Sequence, residues 1–157
     1  MGRKAVQPGR RELRAFHDSA RDQLAHSVVL FSDEEVALIG DCLGRVVRDR
    51  GYTCWAAAVL PEHVHLLVRR HRDKAEDMMA AFQSASRGEM IAAGRRAPTH
   101  PVWGGPGWKV FLDTEEDVRR VVRYVRENPG KAGLPDQHWP WVVEYDGWAP
   151  PKWLRGR

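Results

Sequence analysis

The sequence is poor in cysteine and has no long apolar run. Its two cysteines, Cys42 and Cys54, are too few and too far apart for a zinc knuckle or a disulfide framework. The longest unbroken apolar run, residues 54–60, is far shorter than the ~20 residues that cross a bilayer. The amino terminus is basic but lacks the apolar segment of a secretory signal. These absences predict a cytoplasmic protein with reduced thiols and no membrane partner.

The chain has the size and composition of a single globular domain. It contains 157 residues, of which 43% are hydrophobic and 29% are charged. Such a chain buries a core of its own, so folding requires neither a disulfide nor a structural metal. The composition excludes global disorder, a collagen and a coiled coil.

Basic and aromatic residues concentrate at the two ends of the chain. The net charge is +4, and residues 1–14 hold five cations against one acid, Glu12. Four of the seven tryptophans lie in residues 136–157, beside Lys152 and two arginines. Cations beside exposed aromatic faces suit single-stranded nucleic acid. Alternatively, the tryptophans attach a carboxy-terminal tail to the domain by burying their rings.

Hydrophobic periodicity and capping residues predict an α+β protein. In chain order, they favour a helix at 32–51, strands at 52–60 and 63–68, a helix at 73–93, a short strand at 108–112 and a helix at 113–128. Pro129 is expected to end the last helix. One more strand before residue 32, at 13–17 or 27–31, would complete a ferredoxin-like (RRM-like) antiparallel sheet with packed helices.

Two histidines alternate on the second predicted strand. The side chains of His63 and His65 point the same way, because residues i and i+2 of a strand share a face. Two neutral imidazoles placed in this way can bind one divalent metal. The same spacing also fits two half-buried histidines on the face of a sheet.

The last predicted helix presents a tyrosine beside an apolar stripe. Valines recur along one face, and Tyr124 and Asn128 lie one turn apart at the flank of that face. The outer face is filled by Arg119, Arg120, Arg123 and Arg126. Taken alone, the pattern also fits a boundary tyrosine followed by an asparagine that closes the helix.

Four segments in this order resemble the single-tyrosine HUH transposases, which are the insertion-sequence-200-like and REP-associated enzymes. LPEHVHLLV at 60–68 resembles the family's histidine strand, and YVRENPGKAGL at 124–134 resembles its tyrosine helix. PVWGG at 101–105 and WPW at 139–141 resemble the segments before and after that helix. The resemblance spans residues 31–141 and implies an HUH transposase domain over 31–135, between a basic segment at 1–30 and a Trp-rich tail at 136–157.

The resemblance implies a fold, an activity and a partner. It implies a ferredoxin-like palm that carries the histidines on a central strand. It implies cleavage and rejoining of single-stranded DNA beside hairpins, through a 5′-phosphotyrosine intermediate. Such enzymes work as monomers or as homodimers that exchange the tyrosine helix.

The resemblance also assigns roles to residues. Tyr124 is the nucleophile, and His63, His65 and Asn128 are the ligands of Mg²⁺ or Mn²⁺. The predicted DNA contacts are Arg87, Arg119, Arg120, Arg123 and Lys131. Glu62 stands where the family has asparagine, and it is either a further ligand or a turn residue.

The expected chemistry explains why these residue types occur together. Tyrosine, with a free pKa near 10, is a weak nucleophile. A divalent ion and nearby cations offset the charge of the attacked phosphate. Two other functions remain open: a domesticated or inactive relative that binds hairpin DNA without cutting it, and an unrelated metallohydrolase that uses the histidines with Glu62.

Overall fold

The computed structural model describes residues 30–105 and 107–147. Three helices and a two-stranded antiparallel sheet make up this part of the chain, which confirms the α+β class. In chain order the elements are α1 (Asp33–Arg50), β1 (Cys54–Val59), β2 (Val64–Val68), α2 (Ala75–Ala92) and α3 (Glu115–Lys131).

Local signals set both ends of α1. The Ser32 hydroxyl accepts from the backbone N–H of Glu35, and the Glu35 carboxylate accepts from the backbone N–H of Ser32, which completes the capping box. Gly51 ends the helix in the left-handed conformation, at φ 69°, where a side chain would be strained. Both ends therefore agree with the sequence prediction.

The sheet is covered by helices on both faces. On one face, α1 and α2 bury a core that includes Ile39, Leu43 and Phe82. On the other face, α3 packs through Val125 against Ala56 and Ala58 of β1. The side chains of β2 alternate between the two faces, so Val64, Leu66 and Val68 contact the first core, whereas Leu67 contacts the second. His63 and His65 are two and four residues before Leu67, so their side chains lie on the same face of the sheet, the face covered by α3.

Two tryptophans after α3 pack against α1. A Cβ added at Gly40 would meet the Trp139 ring, and one added at Gly44 would meet the Trp141 ring. These glycines lie one turn apart, so they form a flat surface that accepts both indoles. The burial of Trp139 and Trp141 confirms the attached-tail interpretation for these two rings, whereas Trp148 and Trp153 lie outside the described residues.

Two local predictions are wrong. Residues 108–112 form no strand, because no strand among the described residues lies beside them to complete a ladder, and Phe111 is 54% exposed.

Pro129 does not end α3, which continues to Lys131. The helix accommodates Pro129 because only its last turn loses a backbone donor and the ring is fully buried. The first-strand candidates lie outside the described residues, apart from Leu30 and Phe31, which are not in a strand.

No helix in the described ranges is both long and apolar enough to cross a membrane.

Candidate active site

The two histidines are neighbours at the start of β2. Their ring centroids are 4.7 Å apart, and the rings meet edge to face at 83°. The pairing of Ala58 with His65 fixes the register of this end of the strand. The Nε2 atoms of both rings are buried from solvent. The sequence prediction that both side chains share one face is therefore confirmed.

Helix α3 brings Tyr124 to the same place. The Tyr124 ring lies edge-on to the His65 ring, with the centroids 5.9 Å apart and an interplanar angle of 77°. Tyr124 packs beside Val121, Val122 and Val125 but stays half-buried, at the border of the second core. The Tyr124 side chain therefore lies at the boundary between the second core and solvent.

Small residues on β1 permit this approach. Ala56 and Ala58 are almost fully buried beneath α3, with 1% and 0% of their surfaces exposed. Larger side chains at these positions would hold the helix farther from the sheet, and Tyr124 farther from His65. The three consecutive alanines at 56–58 are the sequence signal for this close approach of α3. Their pattern alone predicts only part of a strand.

Acidic and basic side chains surround His63, His65 and Tyr124, which together are called the aromatic triad. A carboxylate oxygen of Glu62 lies 3.8 Å from Nδ1 of His63, and both side chains are about 30% exposed. Lys131 is two turns after Tyr124 and places Nζ 5.7 Å from the centroid of the Tyr124 ring. The same Nζ is 3.4 Å from the Glu127 carboxylate. Lys131 thus lies against the candidate nucleophile. From the sequence, Lys131 was predicted only as a DNA contact.

Asn128 is half-buried, one turn after Tyr124 on the same flank of α3. Its backbone carbonyl accepts from the N–H of Ala132 in the last turn of the helix. Its side chain remains the third ligand predicted from the resemblance.

The histidine pair suits a divalent cation by chemistry, but it does not form a complete site of common ligand types. Among the described residues, no group of three histidine, cysteine, aspartate or glutamate side chains could hold a metal ion. Imidazole nitrogen binds divalent metals, but Mg²⁺ and Mn²⁺ prefer oxygen ligands, so the two histidines would supply only part of such a site. A third protein ligand would have to be of another type, such as the amide oxygen of Asn128.

The arginines predicted to bind DNA differ in their surroundings. All of those on α3 are exposed, as the helical pattern predicted. Arg119 forms an ion pair with Glu115 at 2.7 Å, and Arg120 pairs with Asp117 at 2.9 Å. Arg123, in contrast, forms no ion pair within the described ranges. Among the α3 arginines predicted to bind DNA, Arg123 is therefore the one whose charge no acid of the described residues compensates.

Arg87 is half-buried and holds a loop. Its guanidinium donates to the carbonyl oxygens of Pro98 and His100, at 2.7 and 3.0 Å. Gln83, one turn earlier on α2, donates to the carbonyl of Gly105 at 2.9 Å. The indole N–H of Trp103 in the same loop donates to Ser86 at 3.0 Å. The PVWGG segment is thus anchored to α2 by side-chain hydrogen bonds.

Comparison of the chain with protein-family models, with curated proteins and with solved structures finds no match. The family resemblance therefore depends on the motifs and their order.

Proposed function

We propose that this chain is a divalent-metal-dependent enzyme that nicks and rejoins single-stranded DNA through a bond to Tyr124, as an HUH transposase of the single-tyrosine type. In this proposal the α+β fold is a ferredoxin-like palm that carries the histidines on a central strand. The partner is single-stranded or hairpin DNA.

The observation that carries the proposal is the edge-on contact of Tyr124 with His65, next to His63. Residues 59 positions apart in the sequence meet with centroids 5.9 Å apart. In the proposal the phenol is the nucleophile and the two imidazoles are metal ligands, and their proximity is what covalent phosphoryl transfer requires of such groups.

The proposed reaction exchanges one phosphoester for another. The Tyr124 oxygen forms a bond to phosphorus while the bond to the 3′ oxygen breaks, and the phenol proton ends on that 3′ hydroxyl. The metal would be held by His63, His65 and Asn128, and when bound it polarises the scissile phosphate. Lys131 and Arg123 supply positive charge near the anionic substrate. Reversal on another strand needs no ATP, because the ester bond to tyrosine conserves the energy of the broken one.

A covalent-adduct assay tests this proposal. Wild-type protein incubated with labelled single-stranded hairpin DNA and Mn²⁺ is expected to give a labelled band that survives denaturation. Tyr124→Phe should bind the same DNA and form no adduct. Tyr145→Phe is a matched control, because Tyr145 lies against Trp55 with the ring centroids 4.7 Å apart, outside the triad. If wild type and Tyr124→Phe both bind and neither forms an adduct, the proposal fails and the non-cleaving relative is favoured.

Glu62 favours a second candidate function. Its carboxylate lies 3.8 Å from His63 Nδ1, a placement that also suits a hydrolase using two histidines and an acid. That enzyme would hydrolyse its substrate with water and form no covalent intermediate. Activity that survives Tyr124→Phe but not His65→Ala or Glu62→Gln would favour the hydrolase.

A further inference from the structure

Positive charge is concentrated far from the histidines, where α1 ends and β2 leads into α2. Residues 48–50 and 69–74 together contain six arginines and lysines against two aspartates, a net charge of +4. This equals the net charge of the whole chain. Five of these cations are exposed and are called the basic platform: Arg48, Arg50, Arg70, Arg72 and Lys74.

Hydrogen bonds hold the two segments of the platform together. The backbone N–H of Arg69 donates to Thr53 at 2.8 Å, and the Tyr52 hydroxyl donates to the Asp73 carboxylate at 2.7 Å. The Tyr52 and His71 rings meet edge to face, with their centroids 4.8 Å apart. The cations therefore project from a backbone that is already fixed, which lowers the entropic cost of binding an anion.

Most of the platform's charge is uncompensated. Within the part of the chain that the structure describes, Arg48, Arg50 and Arg72 form no ion pair with an acid. Clustered like charges repel one another and destabilise the folded state, so a compact cationic group of this kind favours an anionic partner.

The two aromatic rings that lie within or next to the platform's own segments, Tyr52 and His71, are not exposed. Tyr52 is only 6% exposed, and His71 is half-buried and accepts the backbone N–H of Asp73 through Nδ1. Proteins that hold unpaired strands stack bases on exposed aromatic side chains. Cations without such rings contact phosphates, which a duplex presents at twice the density along its axis of a single strand.

We propose that the basic platform binds the sugar-phosphate backbone of duplex DNA, and that it is a second contact surface separate from the Tyr124 site. The choice of DNA rests on the proposed function, whereas the preference for a duplex rests on the platform itself. Arg70 is five residues after His65, so at roughly 3.3 Å per residue the extended chain of β2 and the two residues beyond it spans about 17 Å. At ~3.4 Å per base pair this is about five base pairs. The platform therefore reaches a hairpin stem whose unpaired flank lies at Tyr124.

The test measures binding without cleavage, in the Tyr124→Phe background. The probes are a long-stem DNA hairpin, a hairpin with a stem shorter than about five base pairs, and an unpaired oligonucleotide of the same length. Combining Arg50→Gln with Arg72→Gln is expected to weaken long-stem binding about tenfold at low salt. It should also reduce the slope of log K against log salt by about 1.8, because two phosphate contacts are lost. Binding of the short-stem and unpaired probes should not change.

A matched control removes two charges elsewhere. Arg45→Gln with Arg95→Gln has the same net charge as the platform variant, but these arginines pair with Glu89 and Glu34. The control variant should leave the salt slope unchanged. The variant that combines Arg50→Lys with Arg72→Lys keeps both charges and should retain most of the affinity. An unchanged slope in the platform variant, an equal loss in the control, or an equal loss for the unpaired probe would overturn the proposal. Because no step requires an adduct, failure of the Tyr124 chemistry would leave this result interpretable.

Discussion

The ring of Tyr124 lies edge-on to the imidazole of His65, with the centroids 5.9 Å apart. The first residue comes from the half-buried flank of a helix and the second from a half-buried strand. Their contact makes the histidine pair a candidate for chemistry as well as for packing.

His63→Ala and His65→Ala should each abolish adduct formation while leaving DNA binding largely unchanged. Each variant removes one of two imidazole ligands, whereas phosphate contacts elsewhere persist. Adduct yield and fluorescence anisotropy on the same hairpin measure the two effects. His138→Ala, at an exposed position of the tail, is the control and should keep both. Cleavage retained by either site variant would contradict the metal assignment.

Chelation by EDTA should stop adduct formation by wild-type protein, and added Mn²⁺ should restore it. Adduct formation should stop because the attacked phosphate keeps its full negative charge when no divalent ion polarises it. Gel analysis across a Mn²⁺ titration provides the measurement. Asn128→Ala should shift the titration to higher Mn²⁺, whereas an unchanged midpoint would remove Asn128 from the ligand set.

Arg123→Gln should flatten the salt dependence of single-strand binding, with the slope falling by about 0.7 in magnitude for one lost phosphate contact. Arg120→Gln should have a smaller effect, because Asp117 already pairs with Arg120 at 2.9 Å. Anisotropy titrations at several salt concentrations give both slopes. Equal and unchanged slopes would mean that this face of α3 is merely solvated.

Gly40→Ala should destabilise the fold by about 1–3 kcal/mol, because the new methyl group meets the Trp139 ring. Gly88→Ala is the matched control. It also replaces a helical glycine, but nothing lies within 4 Å of the added Cβ, so stability should rise by about 0.5–1 kcal/mol. Urea unfolding of both variants gives the two values. Stabilisation by Gly40→Ala would show that Trp139 does not pack on α1.

Tyr52→Phe should make stability depend less on alkaline pH. Burial, and then the hydrogen bond to Asp73, raise the pKa of Tyr52 from 10.0 to about 12. The unfolded chain thus loses this proton first, so the contribution of the phenol is fully present below pH 10 and is lost as the pH rises towards 12. Below pH 10 the variant should be less stable by about 1 kcal/mol, for one lost hydrogen bond.

Urea unfolding of wild type and Tyr52→Phe across this pH range should show the difference shrinking as the pH rises. A constant or growing difference would contradict the assigned direction of the pKa shift.

The sequence by itself determined the elements whose causes are local. Ser32 and Glu35 cap α1 within a single turn, and Gly51 ends it by adopting a left-handed conformation. Alternation along β2 placed His63 and His65 together, because each strand residue turns its side chain to the opposite face from its neighbour. These outcomes depend on contacts between residues only a few positions apart.

Only the tertiary structure decided which elements meet. The placement of α3 on the histidine face depends on Ala56 and Ala58, which leave room for Val125 and bring Tyr124 within reach. The partnership of Gly40 with Trp139 joins residues 99 positions apart. The local pattern at residues 108–112 favoured a strand, but a strand forms only where another backbone completes its hydrogen bonds. Such contacts are set by how the whole chain packs, and no local pattern encodes them.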